Sequence, residues 1–168
     1  ATRCGGFWED DYTKAFAIGI GKNTNNRKNA FAVDWEGNAY VSGHDSPIGT
    51  RLTANKNNIT IAAGIGKHQN GASLTLGKGV WIAMGRWSFG TRASGTTSSN
   101  RQTSISVNGT IWMSQRVNVY GGNYGALQCV AMLNLTEEVN IVVCQGSCSQ
   151  ATSGTNYNSS ILDVIRIA

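Results

Sequence analysis

Short apolar runs of strand length, separated by glycine, asparagine and serine, recur along most of the chain. In order they are NITIAAGIG, ASLTL, VWIAMGRWSF, TSISV, TIWMSQRVNVY, ALQCVAMLNL, VNIVVCQ and SILDVIRIA. Runs of this length, rich in β-branched and aromatic residues and bounded by turn formers, predict strands. Helical periodicity is nearly absent, so the pattern predicts an all-β sandwich or barrel, with a jelly roll as the leading topology.

The run VWIAMGRWSF is apolar on both sides of the predicted strand. One side carries Val80, Ile82 and Met84, and the other carries Trp81, Ala83, Trp87 and Phe89. A strand that is apolar on both sides is covered on both sides. We therefore expect either a central place in the sandwich or packing against a partner subunit, which a homotrimer would supply.

The chain before residue 47 has a different pattern. AFAIGIG and AFAVDWEG begin at Ala15 and Ala30 and are separated by KNTNNRKN, which indicates either a short repeat or an ordinary hairpin. Pro47, the single proline, restricts its own backbone and that of Ser46. The sequence thus predicts a strand and turn element at 1–46 and a jelly-roll head at 47–168.

The last run, SILDVIRIA, places an aspartate among isoleucines. Asp163 alternates with Ile161 and Ile165, so a buried carboxylate here needs a partner. An arginine such as Arg86 or Arg166, from the same or a neighbouring subunit, is one candidate. The alternative is an exposed edge strand.

Composition and charge narrow the classes of function. The chain has 168 residues, 14% of them charged, and a formal net charge of +5. The cations are scattered singly apart from Arg27 and Lys28, so we expect no nucleic-acid partner, which would need a clustered basic face. No run approaches the length of a membrane span and no signal-peptide pattern begins the chain, so no membrane insertion is expected.

Metal and cofactor motifs are also sparse. The four cysteines, Cys4, Cys129, Cys144 and Cys148, offer only one close pair and predict buried or disulfide-bonded residues rather than zinc ligands. The acidic run from Glu9 to Asp11 lacks the ligand spacing of a calcium loop. No phosphate-binding glycine motif occurs, so no metal and no cofactor is expected.

Candidate catalytic groups are few, and we expect no enzyme. His44, Asp45 and Ser46 are adjacent, so on an extended backbone they cannot form a triad. The alternative is a glycan-degrading hydrolase of tail-spike type, which needs two carboxylates across the scissile bond. Asp34 and Glu36 share one side of a strand, but DWEGN also reads as a turn. Glu137 and Glu138 likewise lie between two predicted strands.

Two resemblances support a fibre head. The segments LTLGKGVWIAMGRWSF, LNLTEEVNIVVCQG and SSILDVIRIA resemble the jelly rolls of complement globular heads and tumour necrosis factor. The N-terminal segment resembles bacteriophage tail-fibre and appendage proteins, in which a NAF-V--DGN-Y--G signature precedes a small head. The matching residues are Asn29, Ala30, Phe31, Val33, Gly37, Asn38, Tyr40 and Gly43.

The resemblance implies a homotrimeric virion structural protein at the tip of a tail fibre or appendage. It would act outside the cell, without a cofactor, by attaching the virus to a host cell-surface receptor, either a glycan or a protein. A purely structural role, as a trimerisation or head-fibre cap, shares the same fold and stays open.

Receptor-binding residues are expected in long polar loops that carry aromatic side chains. Three segments qualify: YGGNYG, the loop FGTRASGTTSSNRQ and QATSGTNYN. The sequence does not show which of them share an end of the head. The candidate receptor-binding residues are Tyr120, Asn123, Tyr124, Arg92, Arg101, Asn156 and Tyr157.

Overall fold

The computed structural model describes residues 2–5, 12–19, 23, 25, 29–41, 46–59, 68–90, 98–120, 124–147 and 159–168. These residues form twelve strands in three four-stranded sheets. No helix occurs in the described ranges, and so none there could span a membrane. The predicted all-β class is confirmed.

The first sheet uses residues 2–41 and follows the order of the chain. Its strands are β1 (Thr2–Gly5), β2 (Lys14–Gly19), β3 (Asn29–Asp34) and β4 (Ala39–Val41). β1 is parallel to β2, and the other neighbours are antiparallel. The two similar segments, AFAIGIG and AFAVDWEG, are thus antiparallel neighbours, with Ala17 opposite Ala32. This is the hairpin alternative rather than a stack of parallel repeats.

Residues 51–166 form the other two sheets. The strands are β5 (Arg51–Lys56), β6 (His68–Leu76), β7 (Gly79–Gly90), β8 (Ser98–Val107), β9 (Thr110–Tyr120), β10 (Tyr124–Leu135), β11 (Val139–Ser147) and β12 (Ser159–Arg166). The antiparallel orders are β10-β7-β12-β5 and β6-β11-β8-β9. Lettered A to H, these read F-C-H-A and B-G-D-E, the double Greek key of a jelly roll. The predicted jelly-roll-like sandwich is confirmed.

The core lies between these two sheets and is dominated by one side of β7. Trp81, Trp87 and Phe89 are at most 2% exposed, and aromatic side chains of this size each remove about 150–250 Å² from water. They pack in one cluster with residues of the facing sheet, including Ile105 and Ile141. The tryptophan side of the predicted strand is therefore the side that holds the sandwich together.

The second side of β7 is not covered in the same way. Val80, Ile82 and Met84 are half-buried on the outer surface of their sheet. Their neighbours on β10, Met132 opposite Ile82 and Val130 opposite Met84, are 68% and 47% exposed. Within a single chain, the expected cover on both sides of β7 is present on one side only.

The strand that begins the head differs from its prediction. β5 is RLTANK, in which only Leu52 and Ala54 are apolar, so the hydrophobic pattern missed it. Asn58 and Ile59, the first residues of the predicted strand NITIAAGIG, are not in a strand. The rest of that run lies outside the described residues.

Asp163 is placed differently from both alternatives. β12 lies between β7 and β5, so the edge-strand alternative is wrong. Asp163 is half-buried on the outer surface, where Thr53 Oγ1 donates a hydrogen bond to its Oδ1 at 2.6 Å. The side chain of Arg166 is 1% exposed and lies on the opposite face of β12, because side chains alternate along a strand. Arg166 is therefore not its partner within the chain.

Candidate functional site

Tight turns define one end of the sandwich. Gly77 and Lys78 join β6 to β7, Asn108 and Gly109 join β8 to β9, and residues 136–138 join β10 to β11. Asn108 and Gly109 both have positive φ, 47° and 83°, as the two-residue turn of a twisted hairpin requires. We call this the tight-turn end.

Four further connections, three of them longer than any tight turn, leave the opposite end, which we call the long-loop end. They are residues 60–67, 91–97, 121–123 and 148–158. The strand register shows their common origin, since the flanking residues pair there: Gly90 with Tyr124, Ser98 with Tyr120, Ser88 with Ser159, Arg101 with Ser147, and Lys56 with Ser160. All three predicted binding segments therefore begin and end at one end of the sandwich, which the sequence alone did not show.

The chain enters the sandwich at the tight-turn end. Ile48 N donates to Ala39 O at 2.8 Å, and Gly49 N donates to Arg166 O at 2.8 Å. These bonds tie the segment around Pro47 both to β4 and to the tight-turn end. The long-loop end thus lies opposite the link to residues 2–41. Separate domains at 1–46 and 47–168 stay a prediction.

The seven candidate binding residues fall into three groups. Tyr120 is the last residue of β9 and Tyr124 the first of β10, so they flank one connection at the long-loop end. Four candidates lie outside the described residues: Arg92, Asn123, Asn156 and Tyr157. Their roles stay predictions.

Arg101 is the exception, and its predicted place in a loop is wrong. It lies in β8 with its side chain 0% exposed, and its guanidinium is 5.8 Å from the ring centre of Phe89. Burial lowers the pKa of Arg101. The polar stretch SSNRQ at the start of β8 carries no apolar signal, so the sequence pattern began this strand too late. Arg101 is an interior residue of the chain and not part of its exposed surface.

Asp34 organises the turn between β3 and β4. Its Oδ1 accepts hydrogen bonds from the backbone N–H groups of Glu36 and Asn38, at 3.1 and 2.8 Å. Its Oδ2 accepts from Asn38 Nδ2 at 2.9 Å and from Tyr40 Oη at 3.0 Å. Gly37 supplies the positive φ of 86° that the turn needs. The segment from Asp34 to Tyr40 is therefore a turn built on one carboxylate.

The hydrogen bonds also favour the ionised form of the Asp34 carboxyl group. Burial by itself raises the pKa of Asp34, but the bonds from Asn38, Tyr40 and Glu36 outweigh it and hold the pKa below its ordinary value of 3.8. A general acid needs a raised pKa. Asp34 is therefore an ionised structural carboxylate.

The other acidic and metal-binding candidates form no comparable site. Glu137 and Glu138 are exposed in the turn between β10 and β11. The described part of the chain contains no cluster of three or more His, Cys, Asp or Glu that could hold a metal ion. His44, Asp45 and the run from Glu9 to Asp11 lie outside it.

Two of the four cysteines are buried free thiols. Cys129 lies in the core and Cys144 on β11. Burial raises the pKa of both thiols, and Cys144 Sγ is 3.4 Å from Asn70 Oδ1. A protonated, buried thiol is a poor nucleophile. These two residues therefore act as packing groups.

Comparisons with known proteins assign no family. No protein-family model matches the sequence, and no curated protein matches it significantly. A native family 35 carbohydrate binding module from Clostridium thermocellum aligns at 17% identity, over 67% of this chain and 97% of that chain, with a TM-score of 0.35.

An arabinose-bound MgGH51 α-L-arabinofuranosidase aligns at 14% identity over 80% of this chain, with a TM-score of 0.31. The alignment spans 21% of the length of that enzyme. Both TM-scores are below 0.5, so neither likeness supports a conclusion about function.

Proposed function

We propose that this chain is a non-enzymatic binding head that recognises a host cell-surface receptor, a glycan in the first instance, through its long-loop end. The observation that carries the proposal is the separation of the two ends. Three long connections and the short connection 121–123 begin and end at one end of the sandwich, and the chain enters at the other. A fibre tip that approaches a cell end-on needs this arrangement.

The composition of the converging segments supports a glycan ligand. YGGNYG places Tyr120 and Tyr124 on either side of one connection, and the neighbouring connections contribute Arg92 and Tyr157. Tyrosine presents a flat apolar ring for stacking together with a hydroxyl for hydrogen bonding. Loops on a rigid β scaffold are the usual place for such recognition.

The proposal includes a homotrimer at the tip of a phage tail fibre or appendage, outside the cell. Two features support it: the resemblance of the N-terminal signature, and the outer surface of the β10-β7-β12-β5 sheet, whose apolar side chains are uncovered in one chain. Uncovered apolar patches of this kind mark interfaces.

The contacts of Asp34 argue against the hydrolase alternative, whose best candidate pair of carboxylates is Asp34 and Glu36. Asp34 is occupied by four hydrogen bonds within its own turn, and its lowered pKa suits a structural anion better than a proton donor. Glu36 lies in the same turn, at the tight-turn side of the molecule rather than at the long-loop end.

A binding screen tests the proposal. The whole chain, fluorescently labelled, is applied to host cells and to a glycan array, and bound sugars are titrated. Tyr124→Ala and Tyr157→Ala are each expected to weaken binding about tenfold, the usual effect of removing an aromatic contact. Glu137→Ala, in an exposed turn at the opposite end, is the matched control and should bind as the unaltered chain does.

The outcomes separate the three roles. Absence of binding by a folded oligomer would overturn receptor recognition in favour of a structural cap. Release of reducing sugar during the assay, lost in Glu36→Gln, would establish the hydrolase instead.

A further inference from the structure

Two polar groups in the core of the head have no hydrogen-bond partner in the part of the chain that the structure describes. They are the indole N–H of Trp87 on β7 and the hydroxyl of Thr103 on β8, and both side chains are 0% exposed. Burial of a polar group costs free energy unless a hydrogen bond compensates for it. The large majority of buried polar side-chain atoms have a partner, so these two need a physical explanation.

Two contacts across the core fix the relative position of β7 and β8. A Cβ on Gly85 of β7 would be 3.2 Å from Cγ1 of Ile105 on β8. Towards the long-loop end, the guanidinium of Arg101 on β8 is 5.8 Å from the ring centre of Phe89 on β7. Side chains on the inner side of a strand recur at every second residue. One inner residue of each strand therefore lies between the two contacts.

Those two residues are Trp87 and Thr103, so the unpartnered groups are at the same level of the core on facing sheets. The orientation of the indole ring agrees with this position. A Cβ on Gly71 of β6 would be 2.5 Å from Trp87 Cζ3, which is the ring atom farthest from Nε1. The N–H therefore points away from β6, and β8 is two strands from β6 in the facing sheet.

A buried cation lies beside the two groups. Arg101 is the next inner residue of β8 after Thr103, and its side chain is 0% exposed. A guanidinium and an indole N–H can only donate hydrogen bonds, and a hydroxyl can donate one. Three donors around one point suit an occupant that accepts hydrogen bonds and is negatively charged. A water molecule suits them less well, because it also has two hydrogens to donate.

The carboxylates of the head lie in other places. Residues 47–168 contain nine Lys and Arg residues but only three acidic residues, Glu137, Glu138 and Asp163. Both glutamates are exposed in a turn at the tight-turn end, and Asp163 is on the outer surface of its sheet. Negative charge at the level of Trp87 and Thr103 is therefore not supplied by these three side chains. An ion from solution can supply it.

We infer that the head binds a monatomic anion, chloride, between Trp87 Nε1 and Thr103 Oγ1, with Arg101 as the neighbouring positive charge. The ion accepts one hydrogen bond from each sheet and so joins the two sheets near the long-loop end. It binds the folded chain only, and therefore stabilises that state increasingly as its concentration rises. The site lies within one chain and does not depend on receptor recognition.

Thermal unfolding of the whole chain at constant ionic strength tests the site. As sodium gluconate is replaced by sodium chloride, Tm should rise by about 3–6 °C for each tenfold increase in chloride once the site is mostly filled. Thr103→Val keeps the shape of the side chain but removes the hydroxyl, so it should need about tenfold more chloride for the same rise. Thr75→Val, at an exposed position of β6, is the control and should respond as the unaltered chain does.

Bromide locates the ion in the unaltered chain, without any substitution. It replaces chloride in a site of this kind and scatters X-rays anomalously. Crystals of the whole chain grown in sodium bromide should therefore show an anomalous peak between Trp87 Nε1 and Thr103 Oγ1.

Either of two results overturns the chloride site. One is an equal response to chloride in Thr103→Val and in the unaltered chain, which would place the ion elsewhere. The other is the absence of an anomalous peak between the two atoms in bromide, which would show that they share a water molecule instead. Both results are separate from the glycan-binding screen, so this site and the receptor function can fail independently.

Discussion

Asp34 shows how much of the N-terminal element depends on one side chain. Its carboxylate accepts two backbone and two side-chain hydrogen bonds, and Lys14 Nζ lies 3.8 Å above the ring of Tyr40, one of the donors. Trp35 belongs to the same turn, and its indole N–H donates a hydrogen bond to Tyr12 O at 3.2 Å. The turn between β3 and β4 is thus one connected network.

Acid is expected to loosen this turn. The pKa of Asp34 is below 3.8 in the folded chain, so the ionised form stabilises the turn fully above about pH 5 and this contribution is lost as the pH falls through 3.8 towards the lower folded value. Hydrogen-exchange protection of the Glu36 and Asn38 amides should fall over that range. In Asp34→Asn, protection should be weaker at pH 6 and nearly independent of pH. Glu36→Gln is the control, and an unchanged profile in Asp34→Asn would contradict the prediction.

At the scale of elements, the two sheets of the head are in close contact where β6 passes β12. Ser160 Oγ accepts a hydrogen bond from Ala72 N at 2.6 Å, which joins one sheet to the other. A Cβ on Gly71 would meet Ser160 Oγ and would lie 2.5 Å from Trp87 Cζ3. Only glycine fits between these strands.

Gly71→Ala is therefore expected to destabilise the head by about 1–3 kcal/mol, the usual cost of overpacking a core. Gly77→Ala is the matched control, because no heavy atom lies within 4 Å of the added carbon, and its effect should be below about 0.5 kcal/mol. Urea denaturation followed by tryptophan fluorescence measures both. Equal stability of the two variants would show that the sheets can separate to admit a methyl group.

Elements with strong hydrophobic alternation could be predicted from the sequence, and polar ones could not. β7 and β12 carry large apolar side chains at every second position, and their runs were identified. β5 and the start of β8 are mostly polar; Arg101 and Gln102 are buried in β8 although their sequence resembles a loop. These residues are covered because their strands pair with strands distant in sequence. The local pattern of apolar and polar residues does not show such pairing.

The candidate binding site could likewise be predicted only in part from the sequence. Tyrosine-rich and glycine-rich segments could be recognised as connections, but their convergence depends on the register of strands such as β7 with β10 and β8 with β9. The role of Asp34 was missed because DWEGN predicts a turn with solvated acidic groups, and the local sequence does not show which side chain accepts the hydrogen bonds of that turn.

For the whole molecule, the core belongs to the head alone. Every residue of the main hydrophobic cluster lies between Ile59 and Val164, whereas residues 2–41 form one sheet of their own. We therefore expect residues 47–168 to fold without residues 1–46, with cooperative thermal unfolding and a near-ultraviolet circular dichroism signal from Trp81 and Trp87. Residues 1–46 alone should be unfolded, since a single thin sheet buries too little surface. An unfolded 47–168 fragment would place the domain boundary elsewhere.

The central position of β12 has a consequence for biosynthesis. Thr53 and Asp163, which are hydrogen-bonded neighbours, are 110 residues apart, and β7 reaches β5 only through β12. A nascent chain that extends to residue 158 therefore carries β7 with one open edge and β5 with no neighbour. Contacts of such long range slow folding to milliseconds or seconds, and open strand edges invite aggregation meanwhile. We therefore expect the head to assemble only after residues 159–166 have been translated, and chains truncated before them to aggregate unless a chaperone binds them.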